Sequence, residues 1–413
     1  MRIVYVCHYF APEVGAPSAR LLEMSREWVR AGHEVQVVTC FPNHPTGIIP
    51  PEYCGKTFMR ERMEGIEVLR NWVYATPNEG VIKKTLGHLS FMASSPPLST
   101  AHLDRPDVVI ASSPTLFSAV AGRYMARRHR AKFVLEVRDL WPAAIVELGV
   151  ISNPLLVKPL EALESWLYRS ADAIVSVTRS FTQTLQERGI HPRKLHTVTN
   201  GVDETFFYPR ESARLLRNRE ELRDKFIVLY AGAHGICQRL GSVLEVAKRL
   251  KGRREIAFVF VGEGAEKAQL IETARAEGLE NVHFFPSVTK ADMPDLYSEA
   301  DACLVPLRNV ALFQTFLPSK MFEIMACERP IIGSVEGEAA ELLRESGGAL
   351  VVEPEDVQGI QACVQALAGD RALGRSLGER GRQYVVQNYT RARLAEKYLH
   401  ILEELTFRKG GGA

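Results

Sequence analysis

Two opposite charges stand one helical turn apart in PSKMFEIMAC, residues 318–327: Lys320 where a helix would begin, and Glu323 among Met321, Phe322, Ile324 and Met325. A cation in the first turn of a helix opposes the macrodipole, so Lys320 is unfavourable there unless an anion lies beside it or its stem carries the charge to solvent. A glutamate in apolar company needs partners, which either a nearby arginine or a ligand hydroxyl can supply. As site residues, Glu323 would accept hydrogen bonds from two adjacent sugar hydroxyls while Lys320 and Arg239 balance a diphosphate. That combination suits a nucleotide sugar.

Charged and small residues recur at other strand ends. In EVRDLWPAAIVELGV, Arg138 and Asp139 close an apolar strand, where parallel sheets meet their ligands. Either they pair with each other or cap a helix, or they are catalytic groups. Glycine-containing loops follow the first strand of each half, with Gly15, Ala16 and Ser18 before one helix and Gly232, Gly235 and Gly241 before the other. Small residues admit a ligand to the backbone and helix-start amides attract anions, although plain turn chemistry explains each loop equally well. Neither matches the G-x-G-x-x-G of dinucleotide sites. Asp-x-Asp, a pattern that often holds a divalent metal on a sugar nucleotide, is absent, so no metal or cofactor is expected. Basic side chains and helix amides would then carry the charge of a diphosphate.

Positioning these groups takes two domains, because 413 residues exceed the roughly 250–300 at which single cores stop growing. Short β-branched runs at 3–7, 34–40, 108–113, 132–139, 173–178 and 195–201 alternate with helical segments such as 18–30 and 154–170, which implies a parallel sheet covered on both faces. The pattern restarts with strands at 226–232, 257–262, 282–288, 302–307, 330–334 and 349–354. The expected fold class is therefore α/β, two doubly wound Rossmann-like domains in series, 1–208 and 209–385, with ligands in a cleft between strand ends. The charged stretch 209–225 separates them. A closing helix in 386–413 packs back on the first domain and ends in a frayed RKGGGA tail.

Bulk composition narrows the class. With 51 Lys plus Arg against 49 Asp plus Glu, the net charge of +2 gives no global reason to expect nucleic acid. The seven cysteines are scattered without metal-ligand spacing and read as reduced core residues. The chain opens on a strand instead of a signal peptide, and no run reaches the roughly 18–20 apolar residues of a membrane span. A cytoplasmic location is expected.

In combination, PSKMFEIMAC followed by RPIIGSVEGEAAEL resembles the donor-site signature of the retaining glycosyltransferase family four, whose GT-B fold has two facing Rossmann-like domains. RDLWP, TNGVDETFFYP, YAGAHG and FVGEGAEKAQL stand in that family's order along nearly the whole chain. The chain looks most like the bacterial subgroup that builds O-antigen, capsule or exopolysaccharide on a lipid carrier. The resemblance implies that Glu323 holds the ribose, that Lys320 lies near the diphosphate, and that Gly15 and Ala16 belong to the acceptor-side loop that closes on the donor. It places Asp139 beside the reacting sugar; with Arg138, its neighbour at the strand end, Asp139 forms the expected catalytic pair. Two positions depart from the family. Thr315 stands where a first glutamate is usual, so Thr315, Phe316 and Leu317 are expected at the donor sugar, with a deoxy or N-acetylamino sugar one reason for the change. Gln238 replaces a loop lysine, which leaves the diphosphate to Arg239 and Lys320.

The implied activity is transfer of a hexosyl group from a UDP-linked donor to a lipid-linked saccharide with retention, by front-face attack assisted by the departing phosphate. An anionic membrane surface is a further expected partner. The apolar segment 81–103, which carries Lys83 and Lys84 and is broken by Pro96 and Pro97, would dock on it together with the basic run 123–132 at the inner face of the cell membrane. A nucleotide-sugar epimerase of the same fold and a non-catalytic sugar-binding protein are the rival readings.

Overall fold

The computed structural model describes residues 1–407 apart from positions 14, 45, 78, 79, 114, 148, 150, 152 and 212–214, and leaves out the side chain of 81. The tail at 408–413 lies outside the described residues. The chain forms two compact units, Met1–Thr199 with Arg391–Ala413, and Asn200–Thr390. It thus leaves the first unit at Asn200 and returns at Arg391, where composition had suggested 209 and 386. The reason is local: Val202 pairs with Thr390, which ties the start of the connecting segment to the second unit.

In the first unit the strands are β1 (Arg2–Val6), β2 (Glu34–Cys40), β3 (Phe58–Met63), β4 (Ile66–Asn71), β5 (Val108–Ser112), β6 (Lys132–Val137), β7 (Ala173–Ser176) and β8 (Leu195–Thr197). They form one sheet in the order β3-β4-β2-β1-β5-β6-β7-β8. Ile3 to Val6 are buried without alternation, as a parallel strand covered on both faces requires. Only β3 runs antiparallel, hairpinned to β4 at the sheet edge. Neither strand was anticipated, because FMRERM alternates half-buried and exposed positions and has no apolar run. The helices are α1 (Ala16–Arg30), α2 (Val81–Ser99), α3 (Leu116–His129), α4 (Ala143–Glu147), α5 (Pro154–Ser170) and α6 (Arg179–Glu187), and α3 packs on both α2 and α5. Pro96 and Pro97 do not break α2, which runs on to Ser99. They fall in its last turn, so the two lost N–H donors and the ring clashes disturb only the end of the helix.

The second unit has a wholly parallel sheet of β9 (Phe226–Ala231), β10 (Ile256–Val261), β11 (Val282–Phe285), β12 (Ala302–Pro306), β13 (Ile331–Ser334) and β14 (Ala349–Val352), ordered β11-β10-β9-β12-β13-β14. Its helices are α7 (Gly241–Arg249), α8 (Lys267–Ala276), α9 (Met293–Glu299), α10 (Lys320–Ala326), α11 (Glu338–Ser346), α12 (Val357–Gly369) and α13 (Arg371–Asn388). The loops after β9 and β10 touch at Gly262. Its φ is +144°, and a Cβ there would lie 1.9 Å from the Gly232 carbonyl oxygen. Gly262→Ala should therefore lower stability by about 2–4 kcal/mol, since it adds positive-φ strain to a backbone clash. Urea unfolding should show a lower midpoint at unchanged slope; an unchanged midpoint would mean that the two loops separate freely.

A last helix, α14 (Arg391–Phe407), belongs to the first unit. Leu394, Ala395, Tyr398 and Leu402 recur at helical spacing and join the core around Leu21, Met24 and Trp28 of α1. The Trp28 indole N–H donates to the Ala395 carbonyl at 3.1 Å, and its ring meets Tyr398 edge-on at 5.4 Å. All seven cysteines are free; Cys7, Cys40, Cys303 and Cys327 are buried, whereas Cys54 is exposed. Among the described residues no helix is long and apolar enough to cross a membrane.

Candidate active site

In the second unit, β9 ends at Ala231 and the chain turns through Gly232 with φ +140°. Lys320 opens α10 with no side-chain cap at Ser319. Its ammonium turns back to the strand end, donates to the Ala231 carbonyl at 2.8 Å and lies 4.2 Å from the centre of the Tyr230 ring. A Cβ on Gly232 would stand 2.5 Å from that nitrogen, so the glycine makes room for the ammonium as well as for the turn. The awkward helix-start cation is thereby removed from the helix's positive end and delivered to the loop after β9. Burial pushes its pKa down to about 8, against the opposing pull of Glu323 and Cys303.

Glu323 follows one turn later, half-buried between the buried residues Phe322 and Ile324. The Tyr297 hydroxyl of α9 donates to its Oε2 at 3.3 Å. Burial, then the neighbouring Glu323, raises the tyrosine's pKa well above the usual value, so this hydroxyl keeps its proton. Gln238 folds inward, its side-chain oxygen accepting the Gly235 N–H at 3.3 Å. Arg239 is exposed and pairs with Glu355 at 3.3 Å, while the other Glu355 oxygen accepts the Asn309 N–H at 2.9 Å. Of the two cations expected at a diphosphate, Lys320 is drawn to Gly232 and Arg239 is held by Glu355.

The segment expected at the donor sugar is a short 3-10 turn, Ala311–Thr315, and its exit. The Thr315 hydroxyl donates to the Leu312 carbonyl at 2.7 Å, Phe316 packs edge-on against Phe313, and Leu317 is buried. Gln314 binds Glu336 of the following loop at 2.9 Å.

In the first unit, β6 carries Arg138 and Asp139 out at its C-terminal end, both half-buried. Behind them lies a buried network that was not anticipated. Arg20 of α1 donates to the Val198 carbonyl at 2.9 Å and pairs with Glu136 at 3.3 Å, while the Tyr5 hydroxyl donates to Glu136 at 2.7 Å. Burial would raise the Glu136 carboxyl, but Arg20, Arg138 and Tyr5 together hold it below the usual range. Glu136 and Arg138 share a strand face at period two, a signal that was present in EVRD. Arg138 lines a small cavity with Tyr5, Ser112, Ser113 and Thr115. Burial pushes the Asp139 carboxyl up to about 6, with Arg138 opposing. Gly15 caps α1 and Ala16 is its first residue, both exposed; Ser18, expected ahead of the helix, is buried inside its first turn.

Residues 15–201 match the family profile described as Glycosyl transferase 4-like domain, and 213–384 the one described as Glycosyl transferases group 1. The putative colanic acid biosynthesis glycosyl transferase WcaI of Escherichia coli (strain K12) is 31% identical over 375 residues, 88% of this chain and 91% of that protein. The chain belongs to glycosyltransferase family four, in its bacterial polysaccharide group. The probable glycosyltransferase WbjE of Pseudomonas aeruginosa is 26% identical, covering 74% of this chain and 76% of its own length. Among solved structures, sucrose-phosphate synthase from Thermosynechococcus elongatus matches with a TM-score of 0.76 at 17% identity, over 98% of this chain and 99% of that one. Anabaena Alr3699/HepE in complex with UDP-glucose matches with a TM-score of 0.72 at 14% identity, over 98% and 100%. The fold is GT-B, and the protein is a glycosyltransferase.

Proposed function

We propose that this glycosyltransferase moves a sugar from a UDP-linked donor to a hydroxyl of a lipid-linked saccharide, with retention at the anomeric carbon, during assembly of a surface polysaccharide. The observation that carries the reading is the Lys320 ammonium seated at Gly232 with the Glu323 carboxylate one turn away: a cation for a diphosphate and an acceptor for ribose hydroxyls. HepE was solved with UDP-glucose, which favours UDP; WcaI is named for colanic acid biosynthesis, which favours a polysaccharide acceptor. Thr315 in place of a carboxylate suits a deoxy or N-acetylamino sugar.

In this scheme the bond from the anomeric carbon to the diphosphate oxygen breaks as the bond to the acceptor oxygen forms on the same face. The acceptor proton passes to the departing phosphate. Lys320 stabilises the charge that grows on the diphosphate, with Arg239 assisting once it exchanges Glu355 for the ligand. Asp139 and Arg138 orient the sugar and its acceptor. Positive charge comes from these side chains, so the proposed reaction uses no metal or other cofactor.

The decisive assay incubates the purified protein with a panel of nucleotide sugars, with and without lipid-diphosphate saccharides. Acceptor-dependent nucleotide release is expected. Conversion of the donor without acceptor identifies an epimerase, and binding without turnover a sugar-binding protein. The cytoplasmic inner face of the membrane is the proposed place of work, with α2 and α3 as the contact. Ile82 is 77% exposed next to Lys83 and Lys84, and Arg127, Arg128 and Arg130 of the α3 end are also exposed. Flotation with anionic liposomes at low salt should recover the protein and high salt should strip it; no recovery at low salt excludes electrostatic docking.

A further inference from the structure

Three histidines distant in sequence meet at the C-terminal end of the first unit's sheet. His8 follows β1, His44 follows β2, and His88 lies on α2. The His8 and His88 rings meet edge-on at 4.5 Å, and Tyr9 stands 5.0 Å from His44, ring centre to ring centre. The Tyr9 hydroxyl lies 3.4 Å from Nε2 of His88. Together with Thr76 and Lys84 these side chains line one small cavity, which has no carboxylate among its described lining residues. Glu13, outside that lining, accepts the backbone N–H groups of Asn43 and His44 at 2.8 and 2.9 Å.

Two polar groups here lack partners. His8 is only 5% exposed, and its Nδ1 has no hydrogen bond. The Lys84 side chain is exposed, and its ammonium has neither a hydrogen bond nor an ion pair among the described residues. Buried polar atoms are nearly always satisfied, so the orphaned imidazole nitrogen marks a place prepared for a hydrogen-bonding ligand, and Lys84 adds a solvent-facing cation to the same lining. A cavity lined by imidazoles, hydroxyls and one ammonium, without a competing carboxylate, has the chemistry of a phosphate seat.

The surroundings add a second character. Gly47 packs so closely that a Cβ on it would lie 2.1 Å from the Pro77 backbone, which brings the loop carrying Ile48 against the Thr76–Pro77 wall of the cavity. Ile48 is 71% exposed, and Tyr74, which lines the cavity, is exposed as well. His8 and Tyr9 also line the cavity that Arg138 lines, so the histidine cluster is the next layer out from the proposed catalytic pair.

We propose that the His8–His44–His88 cavity, with Lys84, seats the diphosphate through which the acceptor saccharide is joined to its lipid carrier, and that Ile48 and Tyr74 give the carrier's first isoprenoid unit an apolar surface. The inference rests on the lipid-linked acceptor proposed above and names the handle by which it is recognised. It also gives a geometric reason for an enzyme to measure its acceptor: the diphosphate is fixed at one cavity while a hydroxyl of the attached saccharide reaches the neighbouring Arg138 and Asp139.

The test is direct binding to the full chain saturated with UDP, which keeps the donor site occupied. Inorganic phosphate, inorganic diphosphate and geranyl diphosphate are titrated calorimetrically. Geranyl diphosphate is expected to bind at one site, more tightly than inorganic diphosphate and much more tightly than phosphate. Lys84→Gln and His88→Gln should each weaken it at least tenfold, whereas Lys158→Gln, at an exposed lysine of α5, should not. In transfer assays Lys84→Gln should raise KM for the lipid-diphosphate acceptor at unchanged donor KM, and should leave transfer to the same saccharide lacking diphosphate unaltered. Absence of geranyl diphosphate binding in the UDP-saturated protein, or binding indifferent to both substitutions, overturns the assignment whatever the transferase assay shows. Equal affinity for inorganic and geranyl diphosphate keeps the anion seat but overturns the apolar track. Normal diphosphate binding without transfer to any lipid-diphosphate saccharide rejects the proposed acceptor instead.

Discussion

Lys320→Met is expected to weaken UDP binding by roughly 10- to 150-fold, the worth of a charge-assisted contact to a diphosphate, and to remove most donor turnover with it. The side chain is isosteric enough to keep the packing on Tyr230 while losing the ammonium that now stands against Gly232. The pH dependence provides a sharper signature. Burial leaves the free lysine with a pKa of about 8, below its ordinary 10.5. Below pH 8 the ammonium is present and UDP affinity should be flat; above it, affinity should fall about tenfold per pH unit, because the bound form requires the proton.

The same shift has an opposite effect on the free protein. Between the folded and unfolded pKa values the unfolded chain holds more protons, so stability of the ligand-free protein rises as pH increases through that window. Bound diphosphate should restore the proton and abolish the rise. Calorimetry at pH 8.5 in buffers of different ionisation heat should record proton uptake on UDP binding, and none in Lys320→Met. Affinity that stays flat to pH 9.5 and survives the substitution would move the diphosphate away from this lysine. Glu323→Ala is expected to lose donor affinity while retaining the Lys320 fall at high pH, with its onset moved to lower pH because the carboxylate that raises the lysine is gone.

Much of this architecture could be read from the chain because parallel strands buried on both faces leave unbroken apolar runs, as at IVYV and IVLYA. The β3–β4 hairpin escaped because an edge strand such as FMRERM is half solvated and shows no such run. The unit boundary shifted to Asn200 because a single bridge, Val202 to Thr390, decides to which unit the connection belongs. At the site, residue types were legible and directions were not. The sequence shows a lysine at odds with a helix dipole; only the fold shows that its ammonium crosses to the Ala231 carbonyl. Arg239 looked equivalent to Lys320 until Glu355, distant in the chain, appeared as its partner. The histidine cluster was invisible for a related reason: His8, His44 and His88 follow or face different strands, and nothing in their spacing brings them together before the sheet does.

Asp139→Asn should separate catalysis from stability most clearly. Burial holds the Asp139 carboxyl at about 6 in place of its usual 3.8, which makes it the ionisable group of the proposed catalytic pair that titrates nearest to neutrality. If the carboxylate form acts on the acceptor or the reacting sugar, kcat should rise with pH through 6 and then level. The asparagine variant should lose roughly 100- to 10,000-fold in kcat, the usual range for a positioned acid–base or charged group, and its residual rate should show no limb near 6. Donor affinity should be unchanged, since the proposed nucleotide contacts, Lys320 and Glu323, belong to the other unit. The stability effect runs the other way. A carboxyl raised in the folded state binds its proton more tightly there than when unfolded, so its contribution is full below pH 4 and disappears as pH rises through 6. From the size of the shift, ionising it costs at most about 3 kcal/mol. Asparagine avoids that cost, so Asp139→Asn should be more stable than the natural protein at pH 7 and nearly equal to it at pH 4, while being the less active enzyme. A variant of undiminished kcat that keeps its limb at pH 6 would assign the titration, and the chemistry, to another group. A variant that is both inactive and less stable at pH 7 would make Asp139 a structural partner of Arg138 instead of a strained catalytic carboxylate.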